Sequence, residues 1–439
     1  MTVSANERVI ADEQARHWRK RKLKFVSDVR TSNVDKHIVE GEAAVRLCNY
    51  TDVYYNEKIT PDMPFMQGSA TESEVERFGL KKGQVLLTKD SESWEDIAVP
   101  AYVSETMPEV VCGYHLAVIE PDSGEVDGRF LSWLAQSPVL NDQFKLSAKG
   151  VTRFGLSQHA LKNAVIDVPP LEYQLKAAAF LDRKTAEIDT LIAKKRRLLD
   201  RLAEKRTALI TRAVTKGLNP DAPMKESGIE WLGEIPAHWR VSRVKFFAAV
   251  GNGSTPSREN ADYWVGGDYP WLNSGVVNKA SVTEADQFVT KSALRECHLP
   301  IIDPPAILLG ITGQGKTRGM ATKLEIQATI NQHLVFVKPD ERVFDIDYLY
   351  AIFERAYLYL RSESDGGGST KGAITCGQVE NLCVPLPPVS EQREIALALQ
   401  ESQAKLHGVS RKIVKVIERL EEYRSALITN AVTGQIKVA

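Results

Sequence analysis

The sequence predicts an α+β protein with two mixed α/β domains, each followed by a long helix. The two helices are expected to pair as an antiparallel coiled coil with pseudo-two-fold symmetry. Three observations lead to this prediction: the chain repeats itself, each repeat ends in a heptad-patterned segment, and short apolar runs alternate with turns before each segment. A chain of 439 residues is long enough for roughly two to four domains.

The repeat sets the domain boundaries. Residues 169–216 and 387–434 align without a gap at an offset of 218, and 18 of these 48 positions are identical. Both copies begin with two prolines, which fit the first turn of a helix, and Gly217 and Gly434 are good helix ends. The predicted segments are a first domain (1–168), a first helix (169–216), a linker (217–227), a second domain (228–386) and a second helical region (387–439).

Both helical segments carry apolar residues at the a and d positions of a heptad, which is typical of paired helices. A helix of this length spans about 65 Å at 1.5 Å per residue. Since each domain precedes its own helix, antiparallel pairing would place the two domains at opposite ends. The residues predicted to pair the helices are Leu181, Ile188, Leu191, Leu198, Leu202 and Leu209 in the first, and Leu399, Leu406, Val409, Ile413, Val416, Leu420 and Leu427 in the second.

The two domains show the pattern of mixed α/β structure, with short β-rich runs between turn clusters. Helical patterns appear near residues 130–135 and 348–359, one in each domain. The clearest strand predictions are residues 44–47, 84–88, 116–119, 306–310 and 333–337.

Charge and composition exclude several classes of protein. The net charge is −1, so the chain as a whole has no strong attraction to nucleic acid, although the first helix carries 12 basic and 6 acidic residues. Five scattered cysteines without ligand spacing predict neither a disulfide framework nor a metal site. The polar first residues are unlike a secretory signal, and no apolar run has the ~18 residues of a membrane helix, so we expect a cytoplasmic protein.

Several of these segments resemble the specificity subunit of Type I restriction–modification systems. Residues 227–239, Ser-Gly-Ile-Glu-Trp-Leu-Gly-Glu-Ile-Pro-Ala-His-Trp, are similar to the opening of that family's target recognition domain. Pro387-Pro388 followed by Glu391-Gln392 resembles its entry to a conserved helix, and Ala-Leu-Ile-Thr-x-Ala-Val-Thr occurs near both helix ends. The first copy differs, because Tyr173 stands where the pattern has glutamate, and the first domain lacks the opening phrase.

The resemblance implies a protein that reads DNA without doing chemistry. Each recognition domain would read one half of a split double-stranded DNA target, and the helices would set the spacing and dock methyltransferase subunits. Two methyltransferase and two restriction subunits are implied as partners. S-adenosylmethionine, ATP and Mg²⁺ would then belong to those subunits, with no cofactor or metal on this chain, and the complex would serve phage defence.

An enzymatic alternative comes from residues 310–317, which read Gly-Ile-Thr-Gly-Gln-Gly-Lys-Thr and fit the P-loop pattern after an apolar run. A phosphate-binding loop must open a helix, whereas the residues that follow have little helical period and include Gly319. We therefore interpret the motif as a loop, and a P-loop nucleotide-binding enzyme stays the second hypothesis.

Two further readings are weaker. Asp303-Pro304-Pro305-Ala306 falls short of the D-P-P-Y motif of adenine methyltransferases, because alanine cannot stack on a flipped base. A coiled-coil adaptor that binds proteins is the third hypothesis.

Loop residues with hydrogen-bonding side chains are the candidate DNA contacts, since base edges and phosphates are bound by such groups. In the first domain these are Arg30, Thr31, Ser32, Asn33, Lys149, Thr152 and Arg153. In the second they are Ser254, Thr255, Arg258, Lys316, Thr317, Arg318, Thr370 and Lys371.

Overall fold

The computed structural model describes residues 18–313, 315–365 and 372–438, and the chain forms two compact units. Unit 1 contains residues 1–196 and 414–439, and unit 2 contains residues 197–413. Both long helices cross a unit boundary, so each unit contains one globular domain and a part of each helix. The candidate residues Thr370 and Lys371 lie outside the described residues.

Unit 1 contains thirteen strands in the part of the chain that the structure describes. They are β1 (Arg19–Lys22), β2 (Ser27–Thr31), β3 (Ala43–Cys48), β4 (Lys58–Ile59), β5 (Met66–Ala70), β6 (Gly79–Leu80), β7 (Val85–Thr88), β8 (Asp90–Ser91), β9 (Pro100–Val103), β10 (Met107–Cys112), β11 (Leu116–Pro121), β12 (Phe154–Gly155) and β13 (Val165–Val168). The helices are α1 (Tyr50–Tyr54), α2 (Glu72–Phe78), α3 (Gly128–Gln136), α4 (Pro138–Ser147), α5 (Gln158–Asn163) and the long α6 (Leu171–Lys216), with short 3₁₀ turns at Leu23–Phe25 and Trp94–Asp96.

A five-stranded sheet forms the centre of the unit 1 domain, in the order β2-β11-β7-β9-β4. A four-stranded sheet, β5-β3-β10-β6, packs with it around one apolar core that includes Leu47, Leu86 and Val118. Two-stranded pairs, β1-β13 and β12-β8, complete the domain. The predicted strands at 44–47, 84–88 and 116–119 correspond to β3, β7 and β11.

Unit 2 contains twelve strands among its described residues. They are β14 (Met224–Glu226), β15 (Glu234–Pro236), β16 (Arg240–Arg243), β17 (Ala248–Asn252), β18 (Tyr269–Leu272), β19 (Ser281–Val282), β20 (Phe288–Val289), β21 (Ala306–Gly310), β22 (Ala321–Leu324), β23 (Thr329–Ile330), β24 (Leu334–Pro339) and β25 (Cys383–Leu386). The helices are α7 (Lys291–Glu296), α8 (Ile346–Asp365), α9 (Cys376–Asn381) and the long α10 (Val389–Val432), with 3₁₀ turns at Val244–Phe246, Ala261–Tyr263 and Ser274–Asn278.

The unit 2 domain repeats the central sheet of unit 1. Its five strands run in the order β17-β24-β21-β22-β19. In this order β24 has the second place, as β11 has in the sheet of unit 1. A three-stranded sheet, β20-β18-β23, is added beside it. The predicted linker at 217–227 is partly ordered as a strand, because β14 pairs antiparallel with β15.

The two long helices run antiparallel within each unit. In unit 1 the carboxylate of Asp189 accepts from Arg424 at 2.9 Å, Arg196 pairs with Glu421 at 3.0 Å, and the Tyr173 hydroxyl donates to the Ala431 carbonyl at 2.8 Å. As the residue number rises along α6, the number of its partner on α10 falls, which is the pattern of antiparallel helices. In unit 2 Gly217, which follows the end of α6, lies beside Glu391 at the start of α10.

The predicted pairing residues form two rows along the helices, at the a and the d positions, and the residues of the first row are buried or half-buried. In this row Leu181, Ile188, Leu399, Ile413 and Leu427 are buried, and Leu202, Leu209, Leu406 and Leu420 are half-buried.

In the second row, at the predicted d positions, the less exposed residue is the one that follows each predicted residue in the chain. Leu191, Leu198, Val409 and Val416 are 40–45% exposed. Their following neighbours, Ile192, Leu199, Ser410 and Ile417, are buried or half-buried instead. From most first-row positions, a buried or half-buried residue lies four residues further along, and another lies three residues beyond it. Both helices show this same difference from the predicted spacing. The heptad count alone does not distinguish the two spacings, because both neighbours are apolar in most of these pairs.

A buried glutamine joins the start of α6 to the unit 1 domain. The Gln174 amide nitrogen donates to the carbonyls of Glu125 at 2.9 Å and Pro169 at 2.8 Å. Its oxygen accepts from the backbone N–H of Asp127 at 2.8 Å. Since the side chain is fully buried, these bonds replace the water that its amide would otherwise bind.

The repeat-equivalent Gln392 makes the same three bonds at the start of α10. It donates to the carbonyls of Val343 and Pro387 at 2.8 and 3.0 Å, and it accepts from the N–H of Asp345 at 2.9 Å. The two domains are thus attached to their long helices by one repeated device.

Candidate nucleic-acid interface

In both domains, several of the candidate loops lie at the same end of the five-stranded sheet. In unit 1, β2 and β7 end where β11 begins, because both strands pair antiparallel with β11. In unit 2, β17 and β21 end where β24 begins, for the same reason. Side chains that follow two strands and precede a third are therefore brought together.

In unit 1 this sheet end holds three polar side chains that we call the His115 cluster: Asp90, His115 and Arg153. His115 Nδ1 lies 2.7 Å from Asp90 Oδ1, and Arg153 donates to the same oxygen at 2.9 Å. Asp90 is the least exposed of the three and Arg153 the most, with side chains 17% and 55% exposed. The imidazole and the guanidinium are therefore accessible at the surface, and the less exposed Asp90 carboxylate supports both of them.

Lys89 and Tyr114 border this cluster. Lys89 donates to the Ser32 carbonyl at 3.0 Å and lies 4.6 Å from the centre of the Tyr114 ring. Burial lowers the pKa of Lys89, and the neighbouring carboxylate of Asp90 opposes that shift. The cation is thus fixed within the loop.

In unit 2 the sheet end holds a row of neutral side chains that we call the His333 cluster: Thr255, Thr312, Gln332 and His333. His333 Nδ1 lies 2.9 Å from the Thr312 hydroxyl, and its Nε2 lies 3.2 Å from the Gln332 amide nitrogen. Thr255 donates to the Gln332 amide oxygen at 2.6 Å. Hydroxyl, amide and imidazole groups of this kind can bond to base edges in the major groove.

The two histidines occupy equivalent positions. They are separated by the repeat offset of 218, and they lie immediately before the equivalent strands β11 and β24. The His115 carbonyl accepts from Lys89 N–H at 3.0 Å, and the His333 carbonyl accepts from Ile311 N–H at 3.0 Å.

The residues that hold the rings are equivalent too. Asp90 is the strand partner of Gly155, and Thr312 forms an isolated bridge with Ala373, which lies 218 residues beyond Gly155. Neither histidine was among the residues that sequence analysis selected. The repeat offset is the signal that could have identified them.

Two of the unit 1 candidates support the fold instead of facing outward. Arg30 lies on β2 with its side chain 13% exposed and pairs with Glu120 and with Asp28. Burial raises the pKa of Glu120, but the hydrogen bond from Gln84 and the charge of Arg30 outweigh it and leave the pKa below its usual value. Ser32 is buried and donates to the Cys112 carbonyl at 2.6 Å.

The other unit 1 candidates are more accessible. Thr31 is half-buried on β2, and Asn33 is exposed and donates to Glu74 at 2.8 Å. Lys149, Thr152 and Arg153 are exposed, and of the three only Arg153 belongs to the His115 cluster.

In the unit 2 loop at 252–260, Arg258 packs on two tryptophans whose rings contact each other, with centres 5.3 Å apart. The Arg258 guanidinium lies 3.7 Å from the Trp264 ring centre and 5.0 Å from that of Trp271. It also donates to Gln287 at 2.7 Å. Arg258 thus stabilises the loop, and its role as a DNA contact stays a prediction, because the residue is exposed. Ser254 donates to the Cys297 carbonyl at 3.3 Å, and Thr255 belongs to the His333 cluster.

Gln314 lies outside the described residues, and the rest of the 310–317 motif does not have the geometry of a phosphate-binding loop. The motif connects β21 to β22, which pair antiparallel, so a strand follows it where a P-loop needs a helix. The Arg361 guanidinium donates to the carbonyls of Gly315 and Arg318 at 2.7 and 3.0 Å. Lys316 is exposed, Thr317 is half-buried and Arg318 is buried.

Other kinds of site find no support in residues 18–313, 315–365 and 372–438. No group of three or more histidine, cysteine, aspartate or glutamate side chains there is placed to hold a metal ion. Within the same ranges, no helix combines the length and the apolar character needed to span a bilayer.

Comparison with known proteins gives a consistent result. A family model described as Type I restriction modification DNA specificity domain matches residues 20–200 and 236–419, which together are most of the chain. The putative type I restriction enzyme MjaX specificity subunit of Methanocaldococcus jannaschii is 25% identical over 84% of this chain and 81% of its own length. The EcoR124I/EcoR124II specificity subunit of Escherichia coli is 24% identical over 47% of this chain and 49% of its own length.

Two solved structures share the fold. The HsdS subunit from Thermoanaerobacter tengcongensis superimposes with a TM-score of 0.56 at 17% identity, over 95% of this chain and 97% of that one. A chain from a study of complex assembly and conformational transition of the type I R-M system gives a TM-score of 0.66 at 18% identity, over 94% and 97%.

Proposed function

The chain belongs to the Type I restriction modification DNA specificity family, and we propose that each of its two domains reads one half of a split DNA target. The observation that carries this proposal is the repeated sheet end. One chain presents two equivalent loop clusters, each on a rigid five-stranded sheet. Two rigid readers joined by helices bind two half-sites at a set separation, as symmetric DNA-binding dimers do.

The difference between the clusters supports a target with two unlike halves. The His115 cluster contains a carboxylate and a guanidinium, whereas the His333 cluster is built of hydroxyl, amide and imidazole groups. Base pairs differ in the donors and acceptors that they expose in the major groove, so different side chains select different bases.

The exposed apolar positions on the long helices support a docking role. Leu191 and Val416 in unit 1, and Leu198 and Val409 in unit 2, are 40–45% exposed and equivalent in the repeat. Exposed apolar patches on a soluble protein mark sites of protein contact. We assign these positions to contact with methyltransferase subunits.

The chemistry of the assembled complex belongs to the partners in this proposal. Two methyltransferase subunits would use S-adenosylmethionine to methylate adenine N6, and two restriction subunits would use ATP and Mg²⁺ for translocation and cleavage. This chain would contribute target choice to a cytoplasmic defence against phage.

The test is to co-purify the chain with the methyltransferase encoded beside it and to map methylated adenines in cells with and without the chain. We expect one split motif that appears only when the chain is present. A stable complex that adds no methylation, or the absence of any complex, would contradict the proposal.

A further inference from the structure

We propose that His115 and His333 are the specificity-determining residues of the two half-sites, and that the side chain holding each ring makes the half-sites differ. This inference rests on the proposed function. It adds the residues that set the choice of base at each half-site, which neither the family assignment nor the sequence motifs supply.

The His115 ring is held in one orientation. Asp90 Oδ1 lies 2.7 Å from its Nδ1 and the Arg153 guanidinium lies 3.1 Å from the same nitrogen, so both neighbours meet the ring at Nδ1. The ring is 26% exposed, and the structure gives its Nε2 no hydrogen-bond partner among the described residues. Nε2 is therefore available to an external group.

The His333 ring is held by neutral groups. Thr312 contacts its Nδ1, and Gln332, itself bonded to Thr255, contacts its Nε2. A hydroxyl and an amide both donate and accept, so this row can match several arrangements of base-edge donors and acceptors. A glutamine amide also has the geometry to pair with adenine N6 and N7.

Both rings have the rigid support that accurate readout needs. Each histidine precedes β11 or β24, and its backbone carbonyl is bound by the loop after β7 or β21, which are the central strands of the two sheets. Sites built on rigid elements hold their geometry better than sites on free loops. The charge of the supporting residue is the main difference, aspartate in one unit and threonine in the other.

The experiment maps methylation motifs made by the assembled methyltransferase complex containing His115→Ala, His333→Ala or Thr312→Asp. His37→Ala is the matched control, because His37 also lies beside an aspartate, at 3.2 Å from Asp35, with a side chain 85% exposed outside both clusters. Thermal unfolding of each variant is measured in parallel.

We expect each alanine variant to relax one or two positions in one half of the motif and to leave the other half unchanged. Methylation at sites with a wrong base there should rise by about tenfold, the discrimination of one good base contact. Thr312→Asp should change the preferred base in the half-site that His333→Ala relaxes, and His37→Ala should change nothing.

Three results would overturn the inference: both half-motifs unchanged in all cluster variants, both half-motifs relaxed by a single variant, or a lowered unfolding temperature with uniform loss of methylation. If His333→Ala does not fold, Thr312→Asp and the unit 1 variant still decide between these outcomes. A wild-type complex that makes no split motif would contradict the proposed function itself, which separates the two failures.

Discussion

The two buried glutamines at the helix starts show how much a single side chain contributes to this fold. Gln392→Leu would remove three hydrogen bonds and leave two carbonyls and one N–H without partners. We expect the free energy of unfolding to fall by roughly 3 kcal/mol, because each unsatisfied buried group costs about 1–3 kcal/mol. Urea titration measures this, and the exposed Gln400→Leu on the same helix should have little effect. Equal losses for the two variants would contradict the role of Gln392.

Asp182 is a second such residue, in unit 1. It accepts from Arg129 at 2.7 Å, Trp133 at 3.0 Å and Lys58 at 3.0 Å. Burial raises its pKa, but the charge of Arg129 and the hydrogen bonds from Lys58 and Arg129 outweigh burial, so the pKa lies below its ordinary value.

Asp182→Asn should therefore lower the free energy of unfolding by about 2 kcal/mol at neutral pH, because Arg129 loses its charged partner. A carboxyl with a lowered folded-state pKa stabilises the protein above its unfolded pKa, and this contribution is lost as pH falls through the folded value. The difference between wild type and variant should thus be constant above about pH 5 and shrink below about pH 4. A difference that does not shrink at all as pH falls through the acid range would contradict this account. The exposed pair of Glu172 and Lys176 gives the control, Glu172→Gln.

At the scale of elements, the helix register gives a direct comparison of neighbouring residues in unit 1. Ile417 is 8% exposed and Val416 is 40% exposed. Ile417→Ala should lower the free energy of unfolding by about 2 kcal/mol, and Val416→Ala by less than about 0.5 kcal/mol. Circular dichroism in urea measures both. A larger loss for Val416→Ala than for Ile417→Ala would instead support the heptad positions predicted from the sequence.

The turn between β21 and β22 gives a prediction about nucleotides. The carbonyls of Gly315 and Arg318 in this turn accept hydrogen bonds from Arg361. A phosphate-binding loop instead presents N–H donors to phosphate oxygens. We expect calorimetry to detect no ATP binding to the chain and no difference for Lys316→Ala. Binding that disappears on Lys316→Ala would favour the nucleotide enzyme.

The element boundaries and the repeat could be predicted from the sequence, whereas side-chain partners could not. Double prolines and following glycines marked α6 and α10 to within a few residues, because these signals are local. Arg258 has the type and loop position of a DNA contact. Its contact with Trp264 and Trp271 depends on residues that are close only in the folded domain.

At the scale of the whole molecule, the net charge of −1 limits how tightly the chain alone can hold DNA. We expect its DNA affinity to be weaker than that of the complex with methyltransferase at every salt concentration. The affinity of the complex should fall by more than about tenfold between 50 and 200 mM salt, because phosphate contacts release counterions. Fluorescence anisotropy over a salt series measures both. Equal affinity of the chain alone would show that the partner adds no phosphate contacts.

Unit 1 is assembled from the two ends of the chain, residues 1–196 and 414–439. During synthesis the first domain and the first part of α6 leave the ribosome long before residue 414 is made. Ile188 and Ile192 are both buried in the finished protein, and they belong to the unit that residues 414–439 complete. A chain cut short before residue 414 therefore lacks one segment of this unit, and an incomplete unit exposes apolar surface of the kind that chaperones bind. Shortened copies of the chain thus differ from finished copies in a way that the chaperones and proteases of the cell can recognise.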